Sequence, residues 1–304
     1  MKIQLAVLAV SCAALHSAAQ SGNLSDWQKL LNDKKNPDAA RVLCTSFEQS
    51  KVLAEQVEAE KCLANVALCG HGVTELEKDD AGGGTLRDSY APEAVDEALM
   101  HLNLGIKLAP QDLSIHQGRL HVLEIAGRYS EMVKALDESC TIYQGKDALE
   151  AWLAYAPELM DLRQYNAGLE SMKVLDKHYP NNSDILGNIG AFLDLLKRDN
   201  EAIPYLQKAV ALAPRDPINS WDLGRAYDYS GQIEEADTWY KKSLPIMSDP
   251  EQKKQSLCLY AEFVEKKLKD RARACTLQKQ DCEAEEQTAC STPSSSLPSL
   301  PRNQ

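Results

Sequence analysis

The chain has 304 residues, of which 44% are hydrophobic, 6% aromatic and 26% charged. This composition is typical of a helix-rich folded chain with enough apolar side chains for an extended core. The formal charge of −12 argues against a nucleic-acid groove, because phosphate binding needs clustered Lys and Arg that the sequence does not display. We therefore expect partners that are neutral or basic.

Residues 1–19 are predicted to be a signal peptide. A single lysine precedes the apolar stretch 3–15, which is followed by small residues, and we expect cleavage before Gln20. The alternative is a lipoprotein signal acylated at Cys12, which the short apolar stretch before Cys12 disfavours. No other apolar run approaches the length of a membrane span. The mature protein is thus expected in a bacterial periplasm or outside the cell.

Residues 20–90 are predicted to form an N-terminal helical region with a glycine-rich loop. Helical patterns cover residues 26–31, 37–48 and 51–67, which would form a degenerate hairpin or a cap. The helical pattern is lost over residues 70–90. The glycines of residues 81–84 indicate either a flexible loop or an insertion within a repeat.

Eight of the nine cysteines follow the predicted signal peptide, an even number that permits disulfides in an exported chain. Cys62 with Cys69, and Cys275 with Cys282, are seven residues apart. That spacing is about 10 Å along a straight helix, too far for a bridge. We favour Cys44 paired with Cys62 or Cys69 across an N-terminal helical hairpin.

A second bridge is expected near the C-terminal end of the chain. It would join Cys258 or Cys275 to the tail through Cys282 or Cys290. Cys140 occupies a small, core-facing position and is expected to be a buried thiol outside the disulfides.

The second half of the chain repeats itself at an interval of 34 residues. A period of this size, with small residues at two points and bulky ones around them, is typical of stacked helical hairpins. Each hairpin then buries its apolar face against its neighbours. Three pairs of equivalent positions show the repeat: Gly190 and Gly224, Ala202 and Ala236, Tyr205 and Trp239.

Residues 217–250 are the clearest unit. The residues that carry its pattern are Gly224, Tyr227, Gly231, Ala236 and Tyr240. Their types and spacing resemble the tetratricopeptide repeat, although the family's first Trp and closing Pro are displaced here by one and two places.

The resemblance implies an all-α fold, an α-solenoid of stacked antiparallel helix-turn-helix hairpins wound into a right-handed superhelix. We place the repeat array within residues 91–250. Its units are a half repeat at about 92–112 and repeats at 113–147, 149–182, 183–216 and 217–250.

The remaining segments follow from composition and pattern. Residues 251–285 are predicted to be a C-terminal capping helix, and the Ser/Pro-rich residues 286–304 a disordered tail. Pro157 lies inside the first helix of its unit and is expected to kink or restart it.

Small residues of the array are expected to let paired helices approach closely, and large ones to fill the space between hairpins. The residues predicted to pack in this way are Trp152, Gly190, Ala202, Gly224, Tyr227, Ala236, Trp239 and Tyr240.

In the family that the chain resembles, the first helix of every unit lines a concave groove. Carried onto this sequence, the resemblance implies an acidic groove with an aromatic floor. Trp221 would either be exposed there or be buried by rotation of its helix. The residues predicted to contact a partner are Asp184, Asn188, Asp194, Trp221, Asp222, Arg225, Asp228 and Tyr229.

No P-loop, HExxH, CxxC or G-x-S-x-G motif occurs in the sequence. We therefore predict no catalytic residue, metal or cofactor. The leading hypothesis is a non-enzymatic exported scaffold that binds a segment of another protein in its concave groove. The alternatives are a self-associating structural protein of the cell envelope, or a cysteine-based redox or metal-binding protein. The oligomeric state stays open.

Overall fold

A computed structural model gives the structure of the chain. It describes Gln28, Leu31 and residues 37–69, 72–78, 84–143 and 146–281. The predicted signal peptide, the predicted tail, Cys282 and Cys290 lie outside these residues. The chain divides into two compact units, Met1–Leu162 and Arg163–Gln304.

The first unit consists of helices and one two-stranded sheet. Most successive helices pack against one another, as antiparallel hairpins require. The elements are α1 (Pro37–Thr45), α2 (Leu53–Leu68), β1 (Gly72–Lys78), β2 (Gly84–Tyr90), α3 (Pro92–Leu108), α4 (Leu113–Ile125), α5 (Tyr129–Ile142), α6 (Lys146–Leu153) and α7 (Tyr155–Asp161).

Within the segment where the helical pattern is lost, residues 72–78 and 84–90 form a β-hairpin, whereas residues 81–83 of the glycine-rich stretch lie outside the described residues. Strands β1 and β2 are antiparallel, with Gly72 opposite Tyr90 and Lys78 opposite Gly84. Apart from their terminal glycines, the strands are built from residues that include Val, Thr and Tyr, which favour extended backbone. Helices α2 and α3 pack directly on each other, so the β-hairpin is an insertion between two paired helices.

A disulfide joins α1 to α2. Cys44 and Cys62 are bonded, with their Cα atoms 6.2 Å apart, and both are fully buried in an apolar cluster with Leu31 and Leu63. This is one of the two pairings that the sequence favours. Cys69, Cys258 and Cys275 are also disulfide-bonded, and Cys140 is buried outside the disulfides.

Pro157 lies where the helix restarts. Helix α6 ends at Leu153, α7 begins at Tyr155, and Pro157 is in the first turn of α7. A proline costs little there because the first-turn N–H groups have no partner within the helix.

The second unit is a series of helical hairpins. Each helix from α8 to α11 packs against the next. The elements are α8 (Tyr165–His178), α9 (Ser183–Leu195), α10 (Asp199–Leu212), α11 (Pro217–Tyr229), α12 (Ile233–Ser243), a short 3₁₀ helix (Leu244–Ile246), α13 (Pro250–Lys266) and α14 (Arg271–Asp281). The described residues thus have the predicted all-α fold of stacked hairpins, interrupted by the one β-hairpin.

Side-chain caps start four of these helices, and one of the four caps is Asp270, which precedes α14 and accepts a hydrogen bond from the Arg273 N–H. Asn182, Asp216 and Asp249 precede α9, α11 and α13, and each side chain accepts hydrogen bonds from two backbone N–H groups of the first turn. Capping of this kind contributes about 1 kcal/mol per helix. The repeat boundaries are therefore fixed by local chemistry as well as by packing.

Two glycines set the separation of paired helices. A Cβ atom on Gly190 would lie 2.4 Å from Leu206 of α10, and one on Gly224 would lie 2.8 Å from Tyr240 of α12. Both distances are too short for any heavier side chain to fit without displacing the neighbour.

The other predicted packing residues are buried, with the exception of Trp239. Trp152, Ala202, Tyr227, Ala236 and Tyr240 are buried. Trp239 is only half-buried, and the Nζ atom of Lys242 lies 4.1 Å from the centre of its ring.

The residues predicted to form one capping helix form two. Helices α13 and α14 pack against each other across a break at residues 267–270. The break contains Lys269 with a φ of 60°, a left-handed conformation that a helix cannot continue through.

The turns between paired helices share a left-handed residue. Arg163, Lys197 and Gly231, each 34 residues from the next, have φ values of 56°, 62° and 82°. Glycine adopts this conformation without steric cost, whereas a residue with a Cβ is strained by about 1–2 kcal/mol. Lys197 therefore carries strain at a position where the following repeat has glycine.

We expect the substitution Lys197→Gly to raise the free energy of unfolding by about 0.5–1 kcal/mol, the relief of strain less the entropy cost of glycine. The matched control is Gly231→Ala, where the new Cβ would meet nothing within 4 Å and only the backbone strain is added. That variant should lose about 1 kcal/mol. Urea-induced unfolding measures both. A destabilised Lys197→Gly protein would contradict the strain argument.

Candidate protein-binding site

A cleft of about 240 Å³ lies in the second unit between α11 and α13. We call it the aromatic cleft. Its lining combines rings, one exposed leucine and charged side chains from three helices. The lining residues are Trp221, Arg225, Asp228 and Tyr229 of α11, Tyr240 of α12, Leu259, Glu262, Phe263 and Lys266 of α13, and Lys267 directly after α13.

Aromatic rings in contact with one another form the wall of the aromatic cleft. The Trp221 ring lies 4.6 Å from that of Tyr240 at an interplanar angle of 47°. Tyr240 in turn meets Phe263 edge-on at 5.2 Å. Such pairs hold each other at fixed angles and contribute about 0.5–1.5 kcal/mol beyond burial. Trp221 is half-buried, so one part of its ring packs on Tyr240 and another part lines the cleft.

Two apolar side chains of the cleft remain open to solvent. Tyr229 is 54% exposed and Leu259 is 58% exposed. The Nζ atom of Lys197 lies 5.4 Å from the centre of the Tyr229 ring. Large exposed apolar groups beside a cleft mark surfaces that bind other molecules. Leu259 is absent from the residues predicted to contact a partner, because α13 lies beyond the predicted array.

Ion pairs within the chain neutralise the acidic side chains predicted for the groove. Arg225 pairs with Asp194 of α9 and, at 3.4 Å, with Asp222 of its own helix. Asp228 pairs with Lys267 at 3.4 Å. These carboxylates thus hold α9, α11 and α13 in position, and the surface is charge-balanced where the sequence predicts an acidic one.

Two predicted contact residues lie elsewhere on α9. Asp184 is exposed in the first turn of the helix, and Asn188 donates its side-chain N–H to the Asp184 carbonyl at 2.9 Å. Neither lines the aromatic cleft. The structure therefore brings together Trp221, Arg225, Asp228 and Tyr229 at the cleft, with Asp194 and Asp222 behind them on Arg225, and leaves Asp184 and Asn188 apart.

Burial perturbs the carboxyl groups that face Arg225. Loss of hydration raises the pKa of Asp222 from 3.8 to about 6, against the opposing charge of Arg225. Burial likewise raises the pKa of Asp194 to about 6, and a hydrogen bond with Asp199 adds to the effect. Both groups therefore change charge in the mildly acidic range.

The tetratricopeptide-repeat profile matches residues 183–216 and 221–245, the segments that form α9 to α12. The chain contains tetratricopeptide repeats. Among curated proteins, none matches the sequence.

Solved structures share the fold. The C-terminal part of a tetratricopeptide-repeat protein from Cytophaga hutchinsonii superposes with a TM-score of 0.53 at 11% identity, covering 89% of this chain and 100% of that one. MamA (residues 41 to the end) from Desulfovibrio magneticus RS-1 superposes with a TM-score of 0.45 at 23% identity, covering 58% of this chain and 96% of that one. PilF from Pseudomonas aeruginosa superposes with a TM-score of 0.41 at 17% identity, covering 61% of this chain and 82% of that one.

Repeats of this kind form helical scaffolds whose extended surfaces serve protein–protein interaction. Among the described residues, no helix is both long enough and apolar enough to cross a membrane.

We expect the stability of the protein to fall between pH 5 and 7.5 on account of Asp194 and Asp222. A folded-state pKa near 6, above the ordinary 3.8, means that the folded protein holds a proton that the unfolded chain has released. This stabilisation is complete below about pH 4 and is lost as the pH rises through about 6.

Urea unfolding at pH 5 and pH 7.5 measures the effect. From pH 5 to pH 7.5, the free energy of unfolding should fall by roughly 1–2 kcal/mol more in the wild type than in Asp222→Asn, whose side chain cannot ionise. Asp184→Asn, on the exposed start of α9, is the matched control and should leave the wild-type decline unchanged. Equal declines in the wild type and in Asp222→Asn would show that Asp222 does not retain its proton.

Proposed function

We propose that the protein is an exported, non-enzymatic adaptor that binds a segment of another protein in the aromatic cleft. The observation that carries this proposal is an open cleft with a ring-lined wall and an exposed leucine on a rigid helical scaffold. Aromatic and apolar anchors of this kind dominate the binding energy of protein interfaces.

The aromatic cleft is large enough to admit one or two side chains of a partner protein. Its volume of about 240 Å³ is below the roughly 300–1,000 Å³ of sites that enclose a whole small molecule. A protein segment can insert an anchor side chain and lie across the exposed Tyr229 and Leu259. The scaffold is rigid here because Trp221 is already packed on Tyr240 before any partner arrives.

Charge balance indicates that apolar contacts select the partner. Lys266 pairs with Glu262, Lys267 with Asp228, and Arg225 with its two aspartates. No single sign of charge therefore dominates the rim. A neutral segment with a large apolar side chain fits this surface, in keeping with the partner class expected from the sequence.

Two observations support export. The first 19 residues have the pattern of a cleaved signal. In addition, Cys44 and Cys62 form a disulfide, and Cys69, Cys258 and Cys275 are disulfide-bonded as well. Stable disulfides persist in oxidising compartments and are rare in reducing ones. We place the mature protein in a periplasm or outside the cell.

A phage library of random 12-residue peptides, selected on the wild-type protein, provides the probe for the cleft. We expect the enriched peptides to share a large apolar residue. Calorimetry with those peptides should show at least tenfold weaker binding to Leu259→Ser, because a buried apolar anchor contact is worth about 1.4 kcal/mol or more.

The matched control is Leu212→Ser, which replaces a leucine of similar exposure (48%) on α10 outside the cleft. It should bind the peptides as the wild type does. Equal binding to both variants would exclude the cleft as the site. A concentration-dependent oligomer in light scattering that Leu259→Ser abolishes would instead support self-association and contradict the adaptor proposal.

Export has a separate test. The full gene product, expressed in a bacterial host, should appear in the periplasmic or secreted fraction with a mass and N-terminus that begin at Gln20. An uncleaved product in the cytoplasm would contradict export. A membrane-bound product whose lipid-modified mass disappears in Cys12→Ser would support the lipoprotein alternative.

A further inference from the structure

Three potential metal ligands meet in the first unit, far in sequence from the aromatic cleft. Glu48 lies in the turn after α1, Glu60 on α2 and His101 on α3. One ligand atom from each side chain lies within 4.8 Å of the other two. The residues are separated by 12 and 41 positions, a spacing that matches no zinc motif. For this reason the sequence predicts no metal.

Two of the three side chains are buried. Glu60 is 3% exposed and His101 7% exposed, and the Nδ1 atom of His101 lies 2.7 Å from the Oε2 atom of Glu60. Burying a carboxylate is costly unless a cation offsets its charge. The cluster sets one imidazole against one buried carboxylate, Glu60, and one half-buried carboxylate, Glu48. A bound divalent cation would offset the charge of both carboxylates.

The donor set selects the type of cation. One imidazole nitrogen and two carboxylate oxygens are ligands that Zn²⁺ takes together, at about 2.0–2.2 Å, with a fourth position left for water. Mg²⁺ and Ca²⁺ are bound by oxygen ligands alone. Glu48 is only half-buried, which leaves a side from which water or a further ligand can reach the metal.

The present spacing is close to that of a tetrahedral site. Bonds of about 2.0 Å place neighbouring ligand atoms about 3.3 Å apart. The Glu60–His101 contact would open slightly from 2.7 Å, and the Glu48 carboxylate, now up to 4.8 Å away, would move inward. Glu48 belongs to a turn with little helical restraint, so a shift of about 1.5 Å needs only side-chain rotation.

The disulfide holds these segments together. Cys44 lies four residues before Glu48, and Cys62 lies two residues after Glu60. The bridge therefore fixes the turn that carries Glu48 against the helix that carries Glu60. Ligands held in place before the metal arrives bind it more tightly, because less conformational entropy is lost.

We propose that Glu48, Glu60 and His101 form a binding site for a divalent transition-metal ion, with Zn²⁺ as the preferred ion. The site would join the turn after α1 to the middle of α2 and of α3. Its consequence is that metal availability sets the stability of the N-terminal unit. The site contains no cysteine and is distinct from the cysteine-based alternative considered for the sequence.

Zinc titration of the full oxidised chain tests the proposal, with a chromogenic chelator as competitor. We expect one Zn²⁺ per chain and an increase in the thermal midpoint with zinc concentration. Glu48→Gln and His101→Gln should each weaken binding at least tenfold. Glu48→Gln changes a half-buried group in a turn, so it tests the site even where His101→Gln impairs folding.

Two matched controls exclude other ligands. His121→Gln replaces a histidine that pairs with Glu124 at 3.3 Å and lies outside the cluster, and Cys140→Ser removes a buried thiol. Both should bind zinc as the wild type does. The proposal is overturned by a wild type that binds no zinc, or by Glu48→Gln and His101→Gln proteins that bind it with wild-type affinity.

Discussion

The second unit depends on how closely its paired helices approach. Gly190 and Gly224 leave no room for a Cβ atom against Leu206 and Tyr240, so each helical pair is fixed at a single separation. Interiors packed at this density do not deform gradually. At Gly224 the constraint also has a functional consequence. The Tyr240 ring pressed against this glycine is the same ring that supports Trp221 at the aromatic cleft.

Electrostatics reinforces this arrangement across three helices. Arg225 on α11 reaches Asp194 on α9, and Lys267 after α13 reaches Asp228 on α11. The pair of Arg225 and Asp194 is mostly buried, so it is less screened by salt than a surface pair. Removing one partner would leave a buried charge without compensation. The acidic residues of the repeat thus position helices, and the exposed apolar residues remain available for binding.

The first unit is held together differently. Its N-terminal end relies on the Cys44–Cys62 disulfide and on the buried pair of Glu60 and His101, with a β-hairpin inserted between α2 and α3. A covalent link and a polar cluster replace the regular glycine packing seen in the second unit. The two units therefore differ in chemistry, with the aromatic cleft that we propose for a protein segment in one and the cluster that we propose for a metal in the other.

The features that the sequence predicts correctly are those that short-range interactions control. The 34-residue period gave the hairpins, since small and large residues at that interval can pack only between stacked helix pairs. The capping residues Asn182 and Asp216 mark helix starts through hydrogen bonds to their own first turns. The favoured partners of Cys44 also followed, because helical spacing excludes neighbours on one straight helix.

Contacts between side chains of distant segments depend on how the helices pack in three dimensions. Leu259 joins Trp221 because α13 packs beside α11, although α13 lies beyond the recognisable repeats. Asp194 and Asp228 became charge-balanced because Arg225 and Lys267 reach them from other segments, which no periodicity encodes. The ligand cluster is a clearer case, since Glu48, Glu60 and His101 share no motif. Their proximity results from long-range packing and a disulfide, which a pattern of neighbouring residues cannot specify.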